Sequence, residues 1–153
     1  MPGLYYDQFH VGQLFKHPIR RTITEADNVW FSAVTHNPSY LHLDEEYCRT
    51  ETEFGQRLVN SCFTLALMVG ISVGDTVLGT AVANLGWDEV RFPKPLFHGD
   101  TMYAETVVTD KRESKSRPGE GIVTFAHTAR NQHGDVVATA SRKTMVRKRP
   151  SDA

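Results

Sequence analysis

Between residues 60 and 73 the chain is apolar in nearly every helical phase: Cys62, Phe63, Leu65, Ala66, Leu67, Met68, Val69 and Ile71 all fall in one short stretch. A helix that is apolar nearly all round has no face to offer water, so this one should be buried on more than one side. Upstream, Thr24-Glu25-Ala26-Asp27 has the form of a capping box, with Thr24 as cap and Asp27 three positions on. The Asp27 carboxylate also has the right sign for a helix N-terminus. The helix that follows places Val29, Trp30, Ala33 and Val34 near one face. It should end by Asn37, because Pro38 biases its predecessor away from the helical region. A short helix is expected over 45–50. Ahead of these, residues 9–15 read as a lead-in with a turn at Gly12-Gln13, and residues 17–22 as a short strand.

From Gly79 onward the period changes from helical to alternating. A strand over 81–92 is interrupted at Gly86, which marks a bulge, and Pro93-Lys94-Pro95 stops the pairing. His98-Gly99-Asp100 is a turn into a strand over 101–109. The polar stretch 113–120, with Pro118-Gly119 at its tip, suggests a hairpin loop. A return strand over 122–130, a tight turn at 131–134 and a last strand over 136–146 complete the pattern. Residues 148–153 read as a flexible tail of a single domain spanning 1–153. Helices followed by a run of antiparallel strands predict an α+β fold, in which a curved sheet wraps around the apolar helix. The sheet's edges and outer face then need a cover, which suggests a dimer.

Composition narrows the function. The chain has 153 residues, 40% hydrophobic and 23% charged, with 17 basic against 18 acidic side chains. That balance gives no bulk attraction to nucleic acid or an acidic membrane. The N-terminus lacks the basic-then-apolar order of a signal peptide. No apolar run is long enough for a membrane span. Cys48 and Cys62 have no metal-ligand spacing, and cytoplasm is the default location. There is no glycine-rich phosphate loop and no HExxH, so a nicotinamide, nucleotide or metal role has no motif behind it.

One polar cluster stands out. Asn37-Pro38-Ser39-Tyr40-Leu41-His42-Leu43-Asp44 places an amide, a histidine and a carboxylate within eight residues, just after the first helix. Together with Phe31 to His36, Glu45-Glu46-Tyr47, the stretch Leu58-Val59-Asn60-Ser61-Cys62-Phe63-Thr64, and Val90-Arg91-Phe92-Pro93-Lys94-Pro95-Leu96-Phe97-His98-Gly99-Asp100-Thr101, it resembles the MaoC-like dehydratases. This group includes the R-specific enoyl-CoA hydratases. The similarity runs over roughly residues 5 to 147 and implies the hot-dog fold, a homodimer or a dimer of dimers, and reversible hydration of an enoyl-CoA. It implies no cofactor beyond the CoA that the substrate carries. The R-specific hydratases have an aspartate five residues before the histidine, where this chain has Asn37. Ser61 stands where a glycine is often found. The Asn-containing motif and Val90-Arg91-Phe92-Pro93 are also similar to a subgroup acting on branched dicarboxylic acyl-CoAs, the mesaconyl-CoA hydratases.

Hydration of an enoyl thioester needs a base for water, a proton for the α-carbon and a donor for the developing enolate. Histidine titrates near neutrality, so His42 can exchange the proton; the alternative is a histidine that only braces the turn. Asn37 cannot be a base but can orient water, or it can terminate the helix before Pro38. Asp44 can supply the missing carboxylate or fix the His42 tautomer, or it can cap the helix that starts at Glu45. At the start of the central helix, Asn60, Ser61 and Cys62 offer backbone N–H groups for an oxyanion, with Ser61 the best single choice. Cys62 is otherwise explained as a small buried hydrophobe. Arg91, Lys94 and Arg117, with Arg112 and Lys115, are candidates for the CoA phosphates. A thioesterase, or a non-catalytic acyl-CoA binding protein, remains the alternative.

Overall fold

A computed structural model describes residues 3–150. Four long strands carry it: β3 (Ala81–Arg91), β4 (Thr101–Glu113), β5 (Glu120–Arg130) and β6 (Val136–Arg147). With the short β1 (Leu14–Lys16) they form an antiparallel sheet in the order β1-β4-β5-β6-β3, and β2 (Arg21–Thr22) pairs with the start of β4. Helices α1 (Glu25–Val34), α2 (Tyr40–Leu43), α3 (Glu45–Glu51) and α4 (Ser61–Thr76) precede the long strands.

Helix α4 lies on the sheet. Its buried residues Thr64, Met68, Ile71, Ser72 and Thr76 recur at helical spacing. Met68 and Ile71 pack in one cluster with Ala104, Ala129, Ala138 and Ala140. The alanines keep the sheet surface low, so the helix can approach closely. Burying each of the two larger side chains contributes roughly 1.5–3 kcal/mol. Within this chain the burial is one-sided, against expectation. Cys62, Ala66, Gly70 and Gly74 on the opposite face remain exposed, because the single sheet offers only one surface. The helix also runs three residues past Val73, where the Thr76 hydroxyl is satisfied by the Ser72 carbonyl at 2.6 Å.

Other boundaries differ for identifiable reasons. The Thr24–Asp27 capping box is present, with Asp27 N–H donating to Thr24 Oγ1 at 3.2 Å and Thr24 N–H to Asp27 Oδ2 at 2.8 Å. Helix α1 then stops at Val34. His36 turns left-handed at φ +55°, and its N–H and that of Asn37 donate to the Ala33 and Ser32 carbonyls at 3.1 and 2.9 Å. Of the expected strand over 17–22 only Arg21–Thr22 pairs, as β2, while β1 forms earlier, at the end of the expected lead-in; Pro18 between them has no N–H to pair. The Gly86 bulge is present, with a register shift from Asn84 and φ +147°. Strand β4 continues to Glu113 after a shift at Val108, which shortens the hairpin loop. The tail is held further than expected: Lys148 N–H donates to the Gly119 carbonyl at 2.9 Å and Arg149 N–H to the Asp7 carboxylate at 2.8 Å. Residues 151–153 lie outside the described residues.

A polar chain crosses the buried face of the sheet. His17 Nδ1 donates to the Asp75 carboxylate at 2.9 Å, and His17 Nε2 and His127 Nδ1 each bond the Thr106 hydroxyl at 2.8 Å. Burial, with the charges of Arg142 and His17 adding to it, pushes the His127 pKa down to about 3. A histidine in an unfolded chain titrates at about 6.5. Between those values the unfolded state binds the extra proton, so this contribution is complete above the unfolded value and is lost as pH falls toward the folded one. At about 1.4 kcal/mol per pH unit, the loss by about pH 4.5 is roughly 2–3 kcal/mol. Urea unfolding at pH 7 and pH 4.5 should therefore show His127→Gln losing roughly 2–3 kcal/mol less than wild type between the two pH values. Equal losses would remove His127 as the source of acid sensitivity.

Candidate active site

The segment from Arg57 to Asn60 is extended between the helices and the sheet. Leu58 N–H donates to the Leu41 carbonyl at 2.8 Å and Val59 N–H to the Leu96 carbonyl at 2.9 Å. These bonds place Leu58 beside α2, where its carbonyl oxygen accepts from His42 Nδ1 at 2.9 Å. A carbonyl can only accept, so Nδ1 carries the proton and neutral His42 keeps its lone pair on Nε2. No hydrogen bond from the described residues occupies Nε2. The half-buried His42 side chain lines a cavity of about 410 Å³.

Ser61 lines the same cavity. It is the first residue of α4, so its N–H has no acceptor within the helix. The Asn60 side chain caps the next N–H, that of Cys62, at 3.0 Å. The remaining walls are Leu41, Phe54, Leu58, Val59, Phe92 and Pro95, with the Lys94 side chain also present. Apolar walls exclude water and strengthen any interaction of charge with the helix terminus. Proton exchange at Nε2 and anion stabilisation at an N–H are thus brought to one apolar space.

The inner face of α1 supports this arrangement, and it is polar. Asn28 and Ser32 are its buried residues, whereas Trp30 is 68% and Val34 52% exposed. The apolar face drawn from the sequence is therefore not the buried one. The physical reason is that α1 packs over the backbone of residues 58–60, whose N–H and C=O groups need partners. Asn28 supplies them: Nδ2 donates to the Leu58 carbonyl at 2.9 Å, and Oδ1 accepts from Asn60 N–H at 2.8 Å. Asn28 Nδ2 also donates to His98 Nε2 at 2.9 Å, although His98 reads as a turn residue in the sequence. Burial first, and then the Arg57 charge, holds the His98 pKa below the usual histidine value. Arg57 clamps the surrounding elements through 2.6 Å ion pairs to Glu25 and Glu45. No motif marks Asn28 or Arg57, and His98 lies in the 90–101 stretch without a motif role of its own. A polar pair at i and i+4 opposite an apolar stripe was the available signal for the face.

The other sequence candidates separate. Asn37 Oδ1 accepts from Ser39 N–H at 3.0 Å, and the residue lines a different hollow with Ser32, Ala33, His36, Pro38 and Leu43. Asp44 Oδ1 accepts from Tyr47 N–H at 2.9 Å, which makes it the cap of α3. Lys94 lines the His42 cavity and pairs with Asp135 at 2.5 Å. Arg91 ends β3 and lies outside the cavity lining. Arg117 pairs with Glu120 at 2.8 Å, in the turn between β4 and β5. Strand β5 separates that turn from the Lys94–Asp135 end by about 30 Å, so the chain alone does not bring Arg117, Arg112 or Lys115 to the cavity. Cys62 is exposed and free rather than buried, because it lies on the uncovered face of α4.

Comparison with known proteins agrees with this architecture. A family profile described as "MaoC like domain" matches residues 8–131. The mesaconyl-CoA hydratase of Cereibacter sphaeroides is 31% identical over 151 residues, which are 99% of this chain and 43% of that protein. The chain thus spans less than half of that relative's length. The MaoC-like dehydratase structure from Rhodospirillum rubrum aligns with a TM-score of 0.83 at 32% identity, covering 97% of this chain and 99% of that one. A Mycobacterium tuberculosis protein with a double hot-dog fold gives a TM-score of 0.88 at 24% identity, covering 99% of this chain and 46% of that one. The chain belongs to the MaoC-like domain family, and its sheet and central helix form a hot-dog fold.

Proposed function

We propose that this chain is a hydro-lyase that reversibly adds water across the double bond of an enoyl-CoA thioester. The observation that carries the proposal is the His42 tautomer: Nδ1 is tied to the Leu58 carbonyl while the side chain lines an apolar cavity that also holds the N-terminus of α4. His42 Nε2 takes a proton from water as the water oxygen bonds to the β-carbon. The electron pair of the double bond moves toward the thioester, and the Ser61 N–H stabilises the oxygen that gains charge. The proton on Nε2 then passes to the α-carbon, so one water is added and His42 is restored. Asn37 and Asp44 act here by shape. One forms the turn before α2 and the other starts α3, which fixes His42 between them.

Hydrolysis of the thioester, the thioesterase alternative, needs a carboxylate at the thioester carbon, and among the described residues no carboxylate lines this cavity. A His42 lone pair directed at the cavity favours proton exchange over binding alone. Lys94 supplies positive charge for a second acyl carboxylate or for CoA phosphate, and the mesaconyl-CoA hydratase similarity favours a branched dicarboxylic acyl group. The outer edge of β3 has no strand beside it among the described residues, and Leu85, Val90 and Phe92 are exposed along it. With the uncovered face of α4, that edge supports a homodimer or a dimer of dimers. Among the described residues no helix is long and apolar enough to cross a membrane. Both cysteines are free, which suits the reducing cytoplasm we assign.

The purified protein, given crotonyl-CoA or mesaconyl-CoA, is expected to consume the enoyl chromophore without releasing thiol. Thiol release would establish the esterase instead. His42→Ala should lower hydration at least ~100-fold, as for loss of a general acid–base group; near-normal turnover by the folded variant would refute the role. Asn37→Asp keeps the acceptor for Ser39 N–H and should leave crotonyl-CoA hydration unchanged or higher. Complete loss, with folding and CoA binding intact, would show that the Asn37 NH₂ itself acts in the reaction.

A further inference from the structure

The proposed reaction needs two groups held in register, the His42 imidazole and the first turn of α4, and they belong to different elements. The Leu58 carbonyl fixes the first, and the backbone at Asn60 leads into the second. Both backbone groups are held by one buried amide. Asn28, fully buried, donates from Nδ2 to Leu58 O and accepts at Oδ1 from Asn60 N–H. We infer that Asn28, with His98 as its partner, is a positioning residue that sets His42 and the oxyanion-binding helix terminus relative to one another. This inference rests on the hydration reading of the same site.

The chemistry of the amide makes the assignment specific. Leu58 O can only accept and Asn60 N–H can only donate. A flipped Asn28 would oppose oxygen to oxygen on one side and N–H to N–H on the other. The second N–H of Nδ2 points to His98 Nε2 at 2.9 Å, so that ring nitrogen must carry a lone pair and Nδ1 the proton. Four polar groups therefore admit one orientation. Aspartate has no donor for Leu58 O, and leucine has neither donor nor acceptor. Protonation of His98 would place a donor against the Asn28 NH₂ and break the arrangement.

The surroundings keep His98 neutral. Burial disfavours its charge, and Arg57 adds to this, while Glu25 on α1 and Glu45 on α3 oppose it. Those two carboxylates are themselves tied to Arg57. On its open side His98 shares a cavity of about 460 Å³ with Lys94, Asp100, His133 and Asp135. Lys94 pairs there with Asp135, and Asp100 accepts from Gln132 Nε2 and Phe97 N–H. No carboxylate of that cavity is hydrogen-bonded to His98.

The test uses the full-length chain labelled with ¹⁵N-histidine, together with steady-state hydration of crotonyl-CoA. In wild type, His42 and His98 should both give Nδ1–H imidazole signals at neutral pH. In Asn28→Asp a carboxylate oxygen faces His98 Nε2. The His98 titration midpoint should then rise by at least ~1 pH unit, and His42 should lose its single tautomer. The same variant should lose at least ~30-fold in kcat with KM changed less than ~3-fold, since the amide contacts no substrate. His98→Gln, whose amide oxygen can accept from Asn28, should keep kcat within ~3-fold, whereas His98→Leu should lose ~5- to 10-fold. The two His98 variants decide the matter even where Asn28→Asp does not fold. Unaltered tautomers and titration in Asn28→Asp, or equal kcat for His98→Gln and His98→Leu, would overturn the inference. Should wild type hydrate no enoyl-CoA, the proposed reaction fails. The histidine signals then decide the positioning role without it: fixed Nδ1–H tautomers lost in Asn28→Asp support it, and any other pattern sinks it.

Discussion

The carbonyl oxygen of Leu58 accepts two side-chain hydrogen bonds, from His42 Nδ1 and Asn28 Nδ2, both at 2.9 Å. A carbonyl has two lone pairs, so the oxygen is saturated and its direction is set by two elements at once. The His42 tautomer follows from it, because the proton must sit on the nitrogen that faces an obligate acceptor. Without that bond a neutral imidazole could place its lone pair on either nitrogen. The cavity could then meet a donor in place of the lone pair.

Much of the surrounding fold serves to hold that backbone segment. Leu41 and Leu96 pair with residues 58 and 59 from either side, and Arg57 ties the segment to α1 and α3 through Glu25 and Glu45. The central helix begins directly afterwards with its Asn60 cap. Its opposite end is fixed by the Asp75–His17–Thr106–His127 chain and by close packing over the alanines of the sheet. A scaffold of this kind holds the His42 imidazole and a helix terminus in fixed relation. Burial of neutral polar groups has a consequence for acid stability, because every histidine held uncharged in the fold favours unfolding as protons become abundant.

The elements were legible from the sequence where one local rule dominated. The Thr24 cap, the Gly86 bulge, the apolar central helix and the turn at 131–134 all appear where residue chemistry placed them. His42 and Ser61 also meet at one cavity, as the motif suggested. What could not be read was the partner of each polar group. Asn28 drew no reading at all, because its function is to satisfy the backbone of a segment some thirty residues away. His98 looked like turn chemistry for the same reason. Asp44 had catalytic and capping roles open, and its carboxylate is taken by Tyr47 N–H. Arg117 was grouped with Lys94 on charge alone, and the length of β5 separates them. Asn37 lies only five positions before His42 in the chain but faces another hollow, since it sits in the turn ahead of the short helix that carries His42.

The central claim is that an acyl thioester lies with its β-carbon at His42 Nε2 and its carbonyl oxygen at the Ser61 N–H. The most direct measurement is a crystal structure of the protein bound to 3-hydroxybutyryl-CoA, the hydration product of crotonyl-CoA. The account predicts the β-hydroxyl within ~3 Å of His42 Nε2 and the thioester oxygen on the Ser61 N–H. A thioester carbon placed against His42, or an acyl group seated outside this cavity, would contradict it.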